Sequence, residues 1–213
     1  GVASTKAFTC QLTVLGVFCL KLAKTLDVIT KSEERKHGEF LLNIPRLIGD
    51  ILKKEDEIKK IAKVLTKAKD VLYMGRGPLF PLAMEGALKL KEVSYIHAEG
   101  YASGELKHGP IALIDKKIPI ICFCPSDNLY SKNISNIQEV MARGGKILLI
   151  TDNQGEKNAP DQVWKKIIMP DLDSIFLPIL YAIPAQLLAY YTAVQKGTDV
   201  DQPRNLAKSV TVE

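Results

Sequence analysis

The chain is 213 residues long, 46% hydrophobic and 25% charged. That is the balance of a folded globular domain, and it excludes disorder, a collagen repeat and a disulfide scaffold. The 29 Lys and Arg against 24 Asp and Glu leave a formal +5, but the lysines are spread along the chain and not gathered on one face, so no nucleic-acid partner is expected.

In chain order, residues 5–27 read as a helix with Phe8, Leu12, Leu15, Phe18, Cys19 and Leu22 on one stripe. Lys21 and Lys24 interrupt its apolar run, so no membrane partner is expected. The chain opens without an initiator Met or a secretory signal and runs straight into this helix, which predicts a piece of something longer. Residues 31–52 read as two helical stretches interrupted near Pro45, and Glu55 to Ala68 as a further amphipathic helix. The pattern then changes. Asp70 to Met74 is a short apolar run entering Gly75-Arg-Gly77, which suits a buried parallel strand and a tight loop. A helix over 79–94, a strand over 118–124, a helix over 128–143 closed by Gly144-Gly145, a strand over 146–150, a polar loop over 154–162, a strand over 163–169 and a long helix over 174–196 follow. Strands alternating with helices predict an α/β fold, a parallel sheet with helices on both faces. Such sheets take ligands beyond the carboxyl ends of their strands, near a topological switch point. The domain boundary falls near 52–54.

Cys10, Cys19, Cys122 and Cys124 have no metal-ligand spacing. Cys122 and Cys124 would share one face of a strand as buried, reduced residues, which points to a reducing compartment, the cytoplasm.

Three segments could carry chemistry. Gly75-Arg-Gly77 has the context of a phosphate-cradling loop, but Phe80 stands where a dinucleotide fingerprint needs its third glycine, so a tight turn packing helix on strand is at least as good a reading. Glu85, Lys89 and Glu92 fall at i, i+4 and i+7 of one helix face. Periodicity alone favours a solvated ladder of ion pairs; the alternative is a carboxylate poised by a neighbouring ammonium to move protons on a substrate. His97 to Pro110 packs two histidines, two glutamates, a lysine and three glycines into a stretch that reads as a loop, with His108 the better catalytic candidate and no ligand set for zinc. The final stretch, 197–213, carries Leu206, Val210 and Val212, so it is expected to pack. Lys208 is then either one more solvated lysine or an amine made nucleophilic by desolvation.

Three strings decide among these readings. Glu85-Gly-Ala-Leu-Lys-Leu-Lys-Glu-Val-Ser-Tyr-Ile-His-Ala-Glu99, Gly104-Glu-Leu-Lys-His-Gly-Pro110 and Asp199-Val-Asp-Gln-Pro-Arg-Asn-Leu-Ala-Lys-Ser-Val-Thr-Val-Glu213 closely resemble the glucosamine-6-phosphate synthase family, the isomerizing glutamine–fructose-6-phosphate aminotransferases. Gly1-Val-Ala-Ser-Thr-Lys-Ala-Phe8 is similar to a segment late in that family's first sugar-isomerase (SIS) lobe. The resemblance covers the whole chain. It implies a SIS-type three-layer sandwich, with 1–53 the helical end of a first lobe, 54–196 the second SIS domain and 197–213 a catalytic tail. It implies conversion of fructose 6-phosphate and glutamine-derived ammonia into glucosamine 6-phosphate without metal or other cofactor. By matching position, Lys208 would form an imine with the open-chain ketose, and Glu92 would shuttle a proton between the first two sugar carbons. Lys89 would help relay protons, and His108 would assist ring opening from the neighbouring subunit of a homodimer. The backbones at Val2 and Ala207 would touch the sugar. The family's glutaminase domain and the Ser-rich phosphate loop of its first lobe have no counterpart string here, so the chain is expected to be the later part of the isomerase half, partnered by that glutaminase domain. The competing reading is a non-catalytic SIS-type sugar-phosphate sensor, which would need neither Lys208 nor Glu92.

Overall fold

The structure, a computed structural model, describes residues 2–172 and 175–206. Five parallel strands, β1 (Asp70–Gly75), β2 (His97–Ala102), β3 (Pro119–Phe123), β4 (Lys146–Asp152) and β5 (Lys165–Met169), form one sheet in the order β2-β1-β3-β4-β5. The strand order reverses between β1 and β3, which is the switch point of a doubly wound sheet.

Alternation along the strands builds two cores. Val71, Tyr73, Ile121, Phe123, Leu148 and Ile150 face α2 (Lys31–Leu52), α3 (Glu55–Leu65), α4 (Leu79–Ser94) and α7 (Leu177–Lys196). Leu72, Met74, Ile120, Cys122, Cys124 and Leu149 face α5 (Tyr130–Met141) and the 3-10 turns at Ser103–His108 and Pro110–Leu113. This is the expected three-layer arrangement, and both strand cysteines are buried and free as expected. The larger core stacks Tyr73 on Phe123 with centroids 6.3 Å apart, and Phe123 meets Tyr181 edge-on at 6.5 Å. Burial of the Phe123 ring contributes roughly 1.5–3 kcal/mol by leaving water.

Three expectations about local structure are corrected. Residues 31–52 form one uninterrupted helix, opened by a capping box between Thr30 and Glu33. Pro45 is exposed, so the carbonyl it leaves without a partner one turn earlier is within reach of water and the helix runs on. The stretch from His97 reads as a loop but begins as edge strand β2, whose only fully buried residue is Ala98. A Cβ at Gly100 would stand 2.5 Å from the backbone nitrogen of Met84, so glycine lets α4 lie directly on this strand. The polar stretch after β4 opens as a short helix, α6 (Asn153–Lys157), whose N-cap Asp152 accepts from the Gly155 N–H at 2.7 Å. The loop Gly75-Arg-Gly77 is a close-packing turn: a Cβ on Gly75 would meet the Leu79 carbonyl oxygen at 2.0 Å, and Gly77 has φ of +54°.

The first helix, α1 (Lys6–Thr25), buries none of its residues and leaves Val14, Leu15, Phe18 and Leu22 exposed. By length and composition α1 and α7 could each cross a membrane; α7 is the central helix of the larger core.

Candidate active site

Helix α4 lies between the β1–β2 side of the sheet and α7, and its buried residues include one charged side chain, Lys89. The expectation of a solvated charge ladder is overturned. Side-chain exposure is 5% at Lys89, 14% at Glu85 and 20% at Glu92. The Lys89 Nζ stands 2.5 Å from Glu92 Oε2 and 3.7 Å from Glu85 Oε1. The Lys89 stem adds to the apolar packing while its ammonium sits between two carboxylates. Burial pushes the Glu85 carboxyl above its ordinary value; Lys89 pulls it back down and the Glu92 charge adds to the rise.

Lys89 lines a cavity of about 190 Å³ with Ala3, Thr5, Gln186, Tyr190 and Asp201 among its other walls. Both ends of the described chain arrive here. The Val2 N–H donates to the Asp201 carbonyl at 3.4 Å, and the Gln186 amide donates to the Thr5 carbonyl at 3.4 Å. The return of the chain over α4 is fixed by local chemistry. Gly197 ends α7 in the left-handed conformation, and the Thr198 hydroxyl donates to the Val93 carbonyl at 2.7 Å. The Asp199 carboxylate accepts from the Asp201 and Gln202 N–H groups, both at 2.9 Å, and those bonds, Gln202 first, hold its carboxyl below the usual range. Tyr95 caps α4 at φ +59°, and Arg204 settles against it.

Of the residues singled out in the sequence, the structure brings Lys89 and Glu92 into contact and carries the Val2 segment to the same cavity. His108 is elsewhere. It ends the 3-10 turn after β2 with its ring exposed and Nδ1 2.8 Å from Glu105 Oε2, and it does not line the Lys89 cavity. Lys208 and Ala207 lie outside the described residues. Sequence reasoning missed Gln186, Tyr190 and Asp201. The first two sit at i and i+4 on a helix readable only as core, and Asp201 is in a turn.

A larger cavity, about 510 Å³, opens at the carboxyl ends of β3 and β4, where the switch-point rule anticipates a ligand. Its polar walls are Ser126, Asp127, Asn128 and Asp152. Asp152 is already committed, accepting from the Ser126 N–H and hydroxyl and from Gly155. Its two charged walls are therefore both carboxylates, which suits an anion poorly. Among the described residues no cluster of His, Cys, Asp and Glu could hold a metal ion.

Residues 64–196 match the SIS domain. The chain belongs to the SIS domain family. All 213 residues align at 58% identity with the isomerizing glutamine–fructose-6-phosphate aminotransferase of Bradyrhizobium diazoefficiens, and the chain spans 35% of the length of that relative. The solved C-terminal domain of glucosamine-fructose-6-phosphate aminotransferase from Francisella tularensis superposes with a TM-score of 0.91 at 46% identity, covering 95% of this chain and 57% of that one. A glucosamine-6-phosphate deaminase from Thermotoga maritima shares the fold alone, with a TM-score of 0.65 at 20% identity over 94% of this chain and 57% of that one. The resemblance read from the three strings is thus borne out at full length.

Proposed function

We propose that this SIS-family chain carries part of the active site of an isomerizing glutamine–fructose-6-phosphate aminotransferase, the activity named for its relatives. The observation that carries the reading is the Lys89–Glu92 pair, whose buried Lys89 lines a cavity where residues 2–5 and 199–201 converge. A carboxylate in such a place can take a proton from carbon and return it.

The Lys208 amine adds to the C2 ketone of open-chain fructose 6-phosphate, water leaves, and an imine holds the sugar. Glutamine-derived ammonia displaces the lysine at C2. Glu92 takes a proton from C1 and delivers one to C2, while the O1 hydroxyl proton passes to the C2 nitrogen, so that C2 carries the amine and C1 becomes the aldehyde of glucosamine 6-phosphate. Lys89 stands beside Glu92 to relay protons. The backbones at Val2 and Ala207 contact the sugar. His108, exposed on this chain, opens the ring from the neighbouring subunit of a homodimer. The reaction needs no metal or cofactor. A glutaminase domain of the parent protein delivers the ammonia, and a preceding lobe, to which residues 1–53 belong, covers the bare apolar face of α1. The protein works in the cytoplasm.

The test is borohydride trapping with fructose 6-phosphate in the full-length enzyme that carries this chain. The expected result is a stable sugar adduct on Lys208 that Lys208→Ala abolishes. An adduct that survives the substitution removes Lys208 from the reaction. Sugar phosphate binding with no adduct in the unsubstituted enzyme replaces this reading with a sensor.

A further inference from the structure

We infer that Glu85 is the standing counter-ion of Lys89 and so a positioning residue for Glu92, allowing the Glu92 carboxylate to accept a proton without leaving a buried ammonium unpaired. The inference rests on Glu92 being the proton carrier proposed above.

Lys89 has one more carboxylate beside it than its charge requires. It already has a carboxylate 2.5 Å away in Glu92, and one carboxylate is enough to balance the charge of a buried ammonium. Yet a second carboxylate stands one turn away at 3.7 Å, and its Oε1 is buried with no hydrogen-bond donor among the described residues. A buried carboxylate oxygen without a donor is costly to keep for the sake of the fold alone. Its use appears when Glu92 is protonated. The Lys89 ammonium then faces a neutral acid, and Glu85 is the remaining carboxylate within ion-pair distance of it among the described residues.

Charge arithmetic gives the direction. With both carboxylates ionised the triad carries −1, and taking up one proton brings it to zero. With Glu85 neutralised by substitution, the same uptake would carry the site from zero to +1 in surroundings that are nearly dry, which is the unfavourable direction. Glu85 therefore strengthens Glu92 as a base and gives the Lys89 ammonium a counter-ion while Glu92 holds the proton. Little else facing this group competes for the role. α7 offers the uncharged Gln186 and Tyr190, the N-terminal segment offers Ala3 and Thr5, and the returning chain offers Asp201. On β2 the Glu99 carboxylate is bonded by the Tyr101 hydroxyl and approached by His97 at 3.6 Å.

The experiment follows exchange of the sugar's C1/C2 proton with solvent across pH, using fructose 6-phosphate and the full-length enzyme. Glu92 must be ionised to accept the proton, so it sets the acid-side midpoint of the profile. Glu85→Gln, which keeps the shape and removes the charge, should lower that midpoint by about one pH unit. It should also reduce the plateau exchange rate several-fold and leave KM within about twofold, since Glu85 does not line the cavity. Glu85→Asp, which restores the charge, should return the midpoint most of the way. An unmoved midpoint in folded Glu85→Gln, with exchange abolished in Glu92→Gln, would reduce Glu85 to a structural residue. Undiminished exchange in Glu92→Gln would instead take down the assignment of Glu92, and this inference with it.

Discussion

Arg204 engages Tyr95 twice: its backbone N–H donates to the tyrosine hydroxyl at 2.8 Å, and its guanidinium lies 4.3 Å from the centroid of the same ring. Tyr95 is the left-handed residue that ends α4, three positions beyond Glu92. One side chain thus terminates the helix bearing the charged triad and moors the chain four residues before Lys208. Tyr95→Phe keeps the ring and removes the hydrogen-bond acceptor, at a cost of about 0.5–1.5 kcal/mol. Hydrogen exchange at the Arg204 amide should speed up by up to about tenfold, while the melting temperature moves only a few degrees. Unchanged protection of that amide would show that the hydroxyl does not hold the segment.

Lys89 should be hard to remove alone and easier to remove in company. Lys89→Met leaves Glu85 and Glu92 facing each other without a cation, and breaking a buried pair in this way costs about 3–5 kcal/mol. Adding Glu85→Gln and Glu92→Gln removes the stranded charges, so the triple variant should regain much of the loss. Urea unfolding of the single and triple variants checks this. Equal losses in both would mean that Lys89 matters through its stem and not its charge.

The pH dependence of stability carries the signature of Glu85. Its carboxyl is raised in the folded state, chiefly by burial. The native state therefore holds this proton more tightly than the unfolded chain does. The resulting stabilisation is complete below the ordinary carboxylate value and is lost as pH rises through the raised one. Relative to wild type, Glu85→Gln should gain in melting temperature as pH rises from below the ordinary carboxylate value through the raised one. A difference that stays flat over that range would contradict the assignment.

The four cysteines should divide into pairs. Cys122 and Cys124 are buried in the smaller core, and burial pushes both thiols up, so almost no thiolate is present at neutral pH. Cys10 and Cys19 are exposed on α1. In this chain a thiol-titrating reagent should modify two thiols promptly and the other two only after denaturation. Rapid reaction of all four would place β3 nearer the surface than the sheet order allows.

The sheet was legible where burial on both faces writes a continuous apolar run, as in Ile118 to Cys124. It was not legible at β2, because an edge strand needs only one buried side chain and can carry His97 and Glu99 in water. Pro45 misled for a related reason: the penalty for proline in a helix depends on whether water can reach the freed carbonyl, and a sequence does not show that. At the site, spacing put Glu85, Lys89 and Glu92 on one face but left open whether that face meets solvent. The approach of α7 and of the segment after Gly197 decides it. Those contacts join residues about a hundred positions apart, beyond the reach of local periodicity.

The bond from Val2 to Asp201 closes a loop of nearly the whole chain, roughly 200 residues. Contacts between such remote positions cost loop-closure entropy before they reward it, and outside the core they are among the first to fray in the native state. Brief openings of the cavity need not disturb the sheet beneath it.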